Sequence, residues 1–111
     1  MSWKVLETNL KGVAVDVYSD EWIEEDIVNK TPVIVYKIAK RKGGFTLYMK
    51  APSENLEWYF SRGLTEIKLG QSRNGKFLHI EHEDGIYWVD MQINKEVYDF
   101  LKEFIEDQNQ T

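Results

Sequence analysis

The sequence predicts an α+β domain: an antiparallel β-sheet built from hairpins and a meander, with a C-terminal helix packed on one face. Three observations carry that expectation. Asn74-Gly75 and Asp84-Gly85 are two-residue turn signals separating runs rich in β-branched and aromatic residues. Gly43-Gly44 separates two further runs of Val, Ile, Tyr and Phe. Finally, Asn94 stands as a helix N-cap before Val97, Leu101, Phe104 and Ile105, which share one helical stripe. With 111 residues the chain is long enough for one core, so 1–111 is read as a single compact domain.

Taken in order, Trp3 to Leu6 and Val13 to Tyr18 are short β-type runs around Thr8, Asn9 and Gly12, which predicts a first hairpin. Ser19 followed by Asp20, Glu21, Glu24, Glu25 and Asp26 suits either the opening of a short helix or an acidic loop. Thr31 to Lys40 and Phe45 to Lys50 form a second hairpin. A two-residue Gly43-Gly44 turn would set Lys42 opposite Phe45, Ile38 opposite Met49 and Lys37 opposite Lys50. Strict alternation then points Ile34, Tyr36, Ile38, Leu47 and Met49 inward, and Val33, Val35, Lys37, Arg41, Tyr48 and Lys50 outward.

Pro52 and Ser53, with acids at Glu54 and Glu57, open a segment that closes at Gly63 and reads as a short helix whose Leu56, Tyr59 and Phe60 cover the sheet. Thr65 to Arg73, Lys76 to Glu83 and Ile86 to Ile93 then form the meander. Its turns give one face the rows Leu69, Ile80, Val89 and Gln71, Leu78, Met91, with Ile67, His82, Tyr87 at the end. The opposite face carries Lys68, Glu81, Trp88, then Gly70, His79, Asp90, then Ser72, Phe77, Gln92. Residues 108–111 lack apolar material and are expected to fray.

Composition removes several chemistries. The chain has no cysteine, so disulfides, thiolate nucleophiles and thiolate-ligated zinc are excluded. No stretch reaches the roughly 20 apolar residues of a membrane helix and no signal-peptide pattern opens the chain, which predicts a cytoplasmic protein. His79 and His82, three apart in a strand, point to opposite faces and cannot share a metal. Ser72, His79 and Asp90 share a face, but an open sheet surface offers no oxyanion hole. The expectation is a non-enzyme with no metal and no cofactor.

Charge is the feature that points to a function. Six of the fourteen basic residues, Lys30, Lys37, Lys40, Arg41, Lys42 and Lys50, fall in residues 28–52, where there is no Asp or Glu. The remaining eight bases face all nineteen acids. The basic segment is interleaved with Tyr36, Phe45 and Tyr48, the combination a single-stranded nucleic acid needs: cations for phosphates and rings for unstacked bases. Lys37, Arg41 and Lys50 are expected to hold phosphates, and Tyr48 with Trp88 to stack bases; Phe77 joins Trp88 in a second exposed aromatic patch. The competing expectation is a small protein-interaction or inhibitory module, viral sources included, that docks on a basic partner through Trp22 and the acidic segment 20–26.

Asn74-Gly75-Lys76-Phe77-Leu78-His79-Ile80, then Trp88 to Ile93 leading into Lys95 to Ile105, resembles the strands and closing helix of the transcriptional positive cofactor four family. That resemblance implies a small dimeric β-sheet protein binding single-stranded DNA through basic and aromatic strand residues, here Arg73, Lys76 and Phe77. Two features depart from the family: a tight Asp84-Gly85 turn stands where the family has a longer basic hairpin, and Glu81, Glu83 and Asp84 make that end acidic.

Overall fold

A computed structural model describes residues 3–52, 56–60, 64–82 and 85–105, with the backbone alone for 56–60 and 64–66. The expected frayed end, 108–111, lies outside the described residues. The first hairpin, expected from the short runs Trp3–Leu6 and Val13–Tyr18, does not form as such, whereas the expected strand Thr31–Lys40 is part of a longer one. β1 (Lys4–Asp20) and β2 (Glu25–Arg41) are each 17 residues long and pair antiparallel along their length.

The Thr8-Asn9 signal that read as a turn is a β-bulge, where the register shifts between Glu7 and Leu10. Thr8 donates its hydroxyl to the Val35 carbonyl at 2.6 Å, closing the bulge instead of reversing the chain. Gly12 marks close packing: a Cβ there would stand 2.7 Å from the Asp90 carbonyl oxygen of the neighbouring strand. The acidic segment forms no helix but a short acidic turn, the loop alternative. Glu21 to Glu24 is the tight tip of the β1–β2 hairpin, with Glu24 at φ 54, and Asp20 accepts from the Trp22 amide.

β2 turns into β3 (Gly44–Ala51) through Lys42-Gly43, with Gly43 at φ 86, so the turn starts one residue earlier than Gly43-Gly44 suggests. Lys37 therefore faces Tyr48 and not Lys50, Lys50 faces Ile34, and Ile38 faces Leu47. A second bulge between Val35 and Lys37 inserts Tyr36 and inverts the alternation beyond it. Val33 and Val35, expected outward, are buried, while Ile34 and Tyr36, expected inward, are only half-buried.

The segment read as a helix before Gly63 is strand β4 (Leu56–Phe60), paired to β3. Its Leu-Glu-Trp-Tyr-Phe run suits a sheet edge better than the flanking cap signals suit a helix. β5 (Leu64–Ser72), β6 (Gly75–His82) and β7 (Tyr87–Gln92) make the meander. The β6–β7 register is the expected one, with Leu78 opposite Met91 and His79 opposite Asp90. Between β5 and β6 the turn is Arg73-Asn74, so pairing slips by two: Leu69 faces Leu78, and Lys68 faces His79 and not Glu81. A slip of two leaves every side chain on its expected face.

The strands form one antiparallel sheet in the order β4-β3-β2-β1-β7-β6-β5. β3 and β6 are four strand spacings apart, about 19 Å in a flat sheet. Yet Leu47 and Met49 of β3 share one buried cluster with Leu78 and Ile80 of β6. The sheet therefore coils around that cluster. The chain path agrees, because Phe60 and Leu64 on the two edge strands are joined by a link that spans at most about 14 Å.

Helix α1 (Lys95–Leu101) closes the concave side, and the Asn94 side chain accepts from the Val97 amide at 2.9 Å, as its cap position predicts. Val97 and Leu101 are buried in the cluster, and Phe104 stacks on Phe45 at 5.1 Å between centroids. The chain is mainly β, and its α-helix is only seven residues long. Its last turn has no base of its own. Lys40 on β2 supplies one, donating from Nζ to the Phe100 carbonyl at 2.7 Å and to Glu103 at 2.6 Å.

Candidate nucleic-acid interface

Among the described residues the convex face of the sheet carries no helix, and its chemistry differs between its two halves. Over β2 and β3, Lys37 and Tyr48 are register partners, so their side chains leave the same face, and the Lys37 ammonium sits 4.3 Å from the Tyr48 ring centroid. The bulge at Tyr36 adds a second ring to that surface. Tyr36 and Tyr48 are 6.3 Å apart between centroids at 50°, and Lys50 lies over Tyr36 at 5.8 Å. Two rings and two ammonium groups thus alternate on one patch.

The Lys37–Lys50 confrontation expected from the sequence does not form, so no like-charge strain needs an anion to relieve it. The cations rest on rings instead. Among the described residues neither Lys37, Lys50 nor Arg41 is held in an ion pair; the pairs there belong to Lys40, His79 and Lys95. Acids do neighbour the patch: Glu7 is the register partner of Lys37, and Glu57 stands opposite Lys50 on β4.

Arg41, four residues along β2 from Lys37, lies over the Trp3 ring at 4.9 Å. It also borders a cleft of about 210 Å³ lined by Lys4, Lys40, Arg41, Lys42 and Glu103. Sequence reasoning missed Lys4 and Trp3, whose approach depends on β1 running the full length of β2. It also placed Tyr36 on the wrong face, since strict period-two counting has no signal for a bulge. Lys40 was counted in the basic strip, but it is turned to the concave side and committed to α1.

The remaining candidates do not join this patch. Trp88 shares the convex face, but its row runs through Val15 to Lys30, seven residues along β2 from Lys37, or about 23 Å. Its surroundings are acidic: His79 is held by Asp90 at 2.6 Å and Glu81 at 3.2 Å, and the His79 ring lies 5.9 Å from Trp88. Phe77 is spent on Gly70, where a Cβ would meet its ring at 2.5 Å. Arg73 is exposed in the β5–β6 turn, and Lys76 borders a hollow beside α1 with Leu69 and Tyr98 on the concave side. Ser72 is occupied in the same turn, donating to the Gly75 carbonyl, and its strand position lies four residues from the register partner of His79.

Comparison with protein-family models, curated proteins and solved structures finds no match to this chain. No helix among the described residues is long and apolar enough to cross a membrane.

Proposed function

We propose that the protein binds single-stranded nucleic acid, without catalysis, on the convex face over β2 and β3. The single observation that carries this reading is the Tyr36–Tyr48 pair with Lys37 and Lys50 over the two rings. A single strand is held where its bases stack on rings while its phosphates reach cations, and here cation and ring are side by side on the half-buried Tyr36 and Tyr48. Lys37, Lys50 and Arg41 hold phosphates, and Tyr48 and Tyr36 stack bases. Single strands are favoured over duplexes because stacking needs unpaired bases, and DNA is favoured over RNA by the family resemblance of the C-terminal third. Trp88, Phe77, Arg73 and Lys76 lie outside this path.

The test is fluorescence anisotropy with a labelled oligothymidylate, its duplex form and an RNA counterpart. Tyr48→Ala should weaken single-strand binding by about 1–3 kcal/mol and leave any duplex binding unchanged. No binding to any probe, or equal binding by the Tyr48→Ala protein, removes the reading.

A second reading has one observation in its favour. Trp22 at the hairpin tip is 96% exposed and flanked by Asp20, Glu21, Glu24, Glu25 and Asp26, which suits docking on a protein with an apolar pocket and a basic rim. Charge reversal at Glu24 and Glu25 would then abolish partner capture, while Lys37→Gln and Lys50→Gln would not.

A further inference from the structure

The outer half of β2 has an unused edge. β3 pairs with β2 only from Ile34 onward, and among the described residues no strand flanks Glu25 to Val33 on that side. The direction of the backbone groups there can be worked out. The Val17 amide donates to the Ile86 carbonyl, so Val17 faces away from β2. Val17 is the register partner of Val28, and in an antiparallel pair both partners turn their polar groups the same way, inward or outward. The N–H and C=O of Val28 therefore point out of the sheet, and so, at a period of two, do those of Asp26 and Lys30. Pro32 shares that orientation, has no N–H to offer, and ends the usable edge.

The side chains on this edge are self-complementary. Asp26, Val28 and Lys30 are all exposed, Val28 at 53%. An antiparallel copy placed about a two-fold axis at Val28 sets Val28 against Val28 and Asp26 against Lys30 twice. Axes at Asp26 or Lys30 would instead oppose like charges. Asp26 already accepts from the Ser19 hydroxyl at 2.9 Å through one oxygen, which leaves the other for the lysine.

We propose that two copies of this chain pair edge to edge along Glu25–Thr31 of β2, with Asp26 of each facing Lys30 of the other across a two-fold axis at Val28. The pairing adds about six main-chain hydrogen bonds and continues one sheet through both copies. It does not depend on nucleic-acid binding.

The chain has no cysteine, so Val28→Cys introduces a single thiol. At the axis of the dimer the two Cα atoms would be about 5.5 Å apart, within the range a disulfide spans. Mild oxidation should convert Val28→Cys protein to a covalent dimer, whereas Val5→Cys, as exposed at 55%, should remain largely monomeric. In sedimentation equilibrium, Val28→Pro should give a monomer with an unchanged circular-dichroism spectrum, because the N–H it removes is not used by β1. Asp26→Lys should raise the dimer dissociation constant by about tenfold, and adding Lys30→Asp should restore it. A parent protein that stays monomeric at high micromolar concentration, a dimer unaffected by Val28→Pro, or equal cross-linking of the two cysteine variants overturns the proposal.

Discussion

Removing Lys37 and Lys50 together should halve or more than halve the salt dependence of single-strand binding. The expected size follows from the number of cations that can reach phosphate. Lys37, Lys50 and Arg41 line the patch, rest on rings and are held in no ion pair among the described residues. With about 0.7 counterions released per phosphate on a single strand, three contacts give a slope of log affinity against log salt near −2. Raising salt from about 50 to about 200 mM should then cost the parent roughly 20-fold in affinity. Lys37→Gln with Lys50→Gln leaves one contact, a slope near −0.7, and a loss of only about threefold over the same range. Tyr48→Ala should displace the whole line downward without changing its slope, since stacking releases no counterions. Lys76→Gln, on the concave side, should leave both slope and intercept alone. The assay is anisotropy titration of an oligothymidylate at four or more salt concentrations. A double variant with the parental slope would mean that the phosphates are neutralised elsewhere, and the assignment of the patch would fall.

Two further outcomes test the architecture that presents the patch. Gly12→Ala should destabilise the fold by about 1–3 kcal/mol in urea titration, because its Cβ would stand 2.7 Å from the Asp90 carbonyl oxygen and must push β7 away from β1. Lys40→Met should cost about 1–2 kcal/mol by leaving the Phe100 carbonyl without its cationic donor, while Glu103→Gln, at a partner 57% exposed, should cost less than about 1 kcal/mol. Equal losses from the two would mean that the ion pair, and not the helix cap, is what Lys40 contributes.

The legible parts of the fold were those fixed by short-range chemistry. The β6–β7 register, with His79 against Asp90, is the one the sequence signal at 84–85 predicts, and Asn94 capped the helix that the Val97–Leu101 spacing promised. Errors arose where one residue's placement depended on a distant strand. Thr8 and Asn9 carry turn chemistry, but Thr8 spends it on the Val35 carbonyl, 27 residues away, and the strand runs on. Leu56 to Phe60 has a helix-like frame of caps, but an unpaired edge of β3 recruits it as a strand. Arg73-Asn74 and Asn74-Gly75 are both acceptable turns, and sequence alone does not choose between registers that preserve the same faces.

The patch itself was half legible for a related reason. Composition located the cations and Tyr48, since a segment of 25 residues without acid is visible to counting. What counting could not supply is the second ring. Tyr36 reaches the convex face only because the strand gains a residue between Val35 and Lys37, and the same insertion buries Val33 and Val35. One irregularity therefore does two things: it completes the core with two valines and doubles the aromatic surface beside Lys37 and Lys50. A sheet without the bulge would bury Tyr36, leave a single tyrosine among the lysines, and present a surface no different from an ordinary cation-guarded hairpin. The bulge is what separates a candidate stacking site from a solvated edge, and the charge partition across the face points the same way. On β6 and β7 the convex-face histidine, His79, is satisfied internally by Asp90 and Glu81, whereas on β2 and β3 Lys37 and Lys50 lie across rings and are held in no ion pair among the described residues.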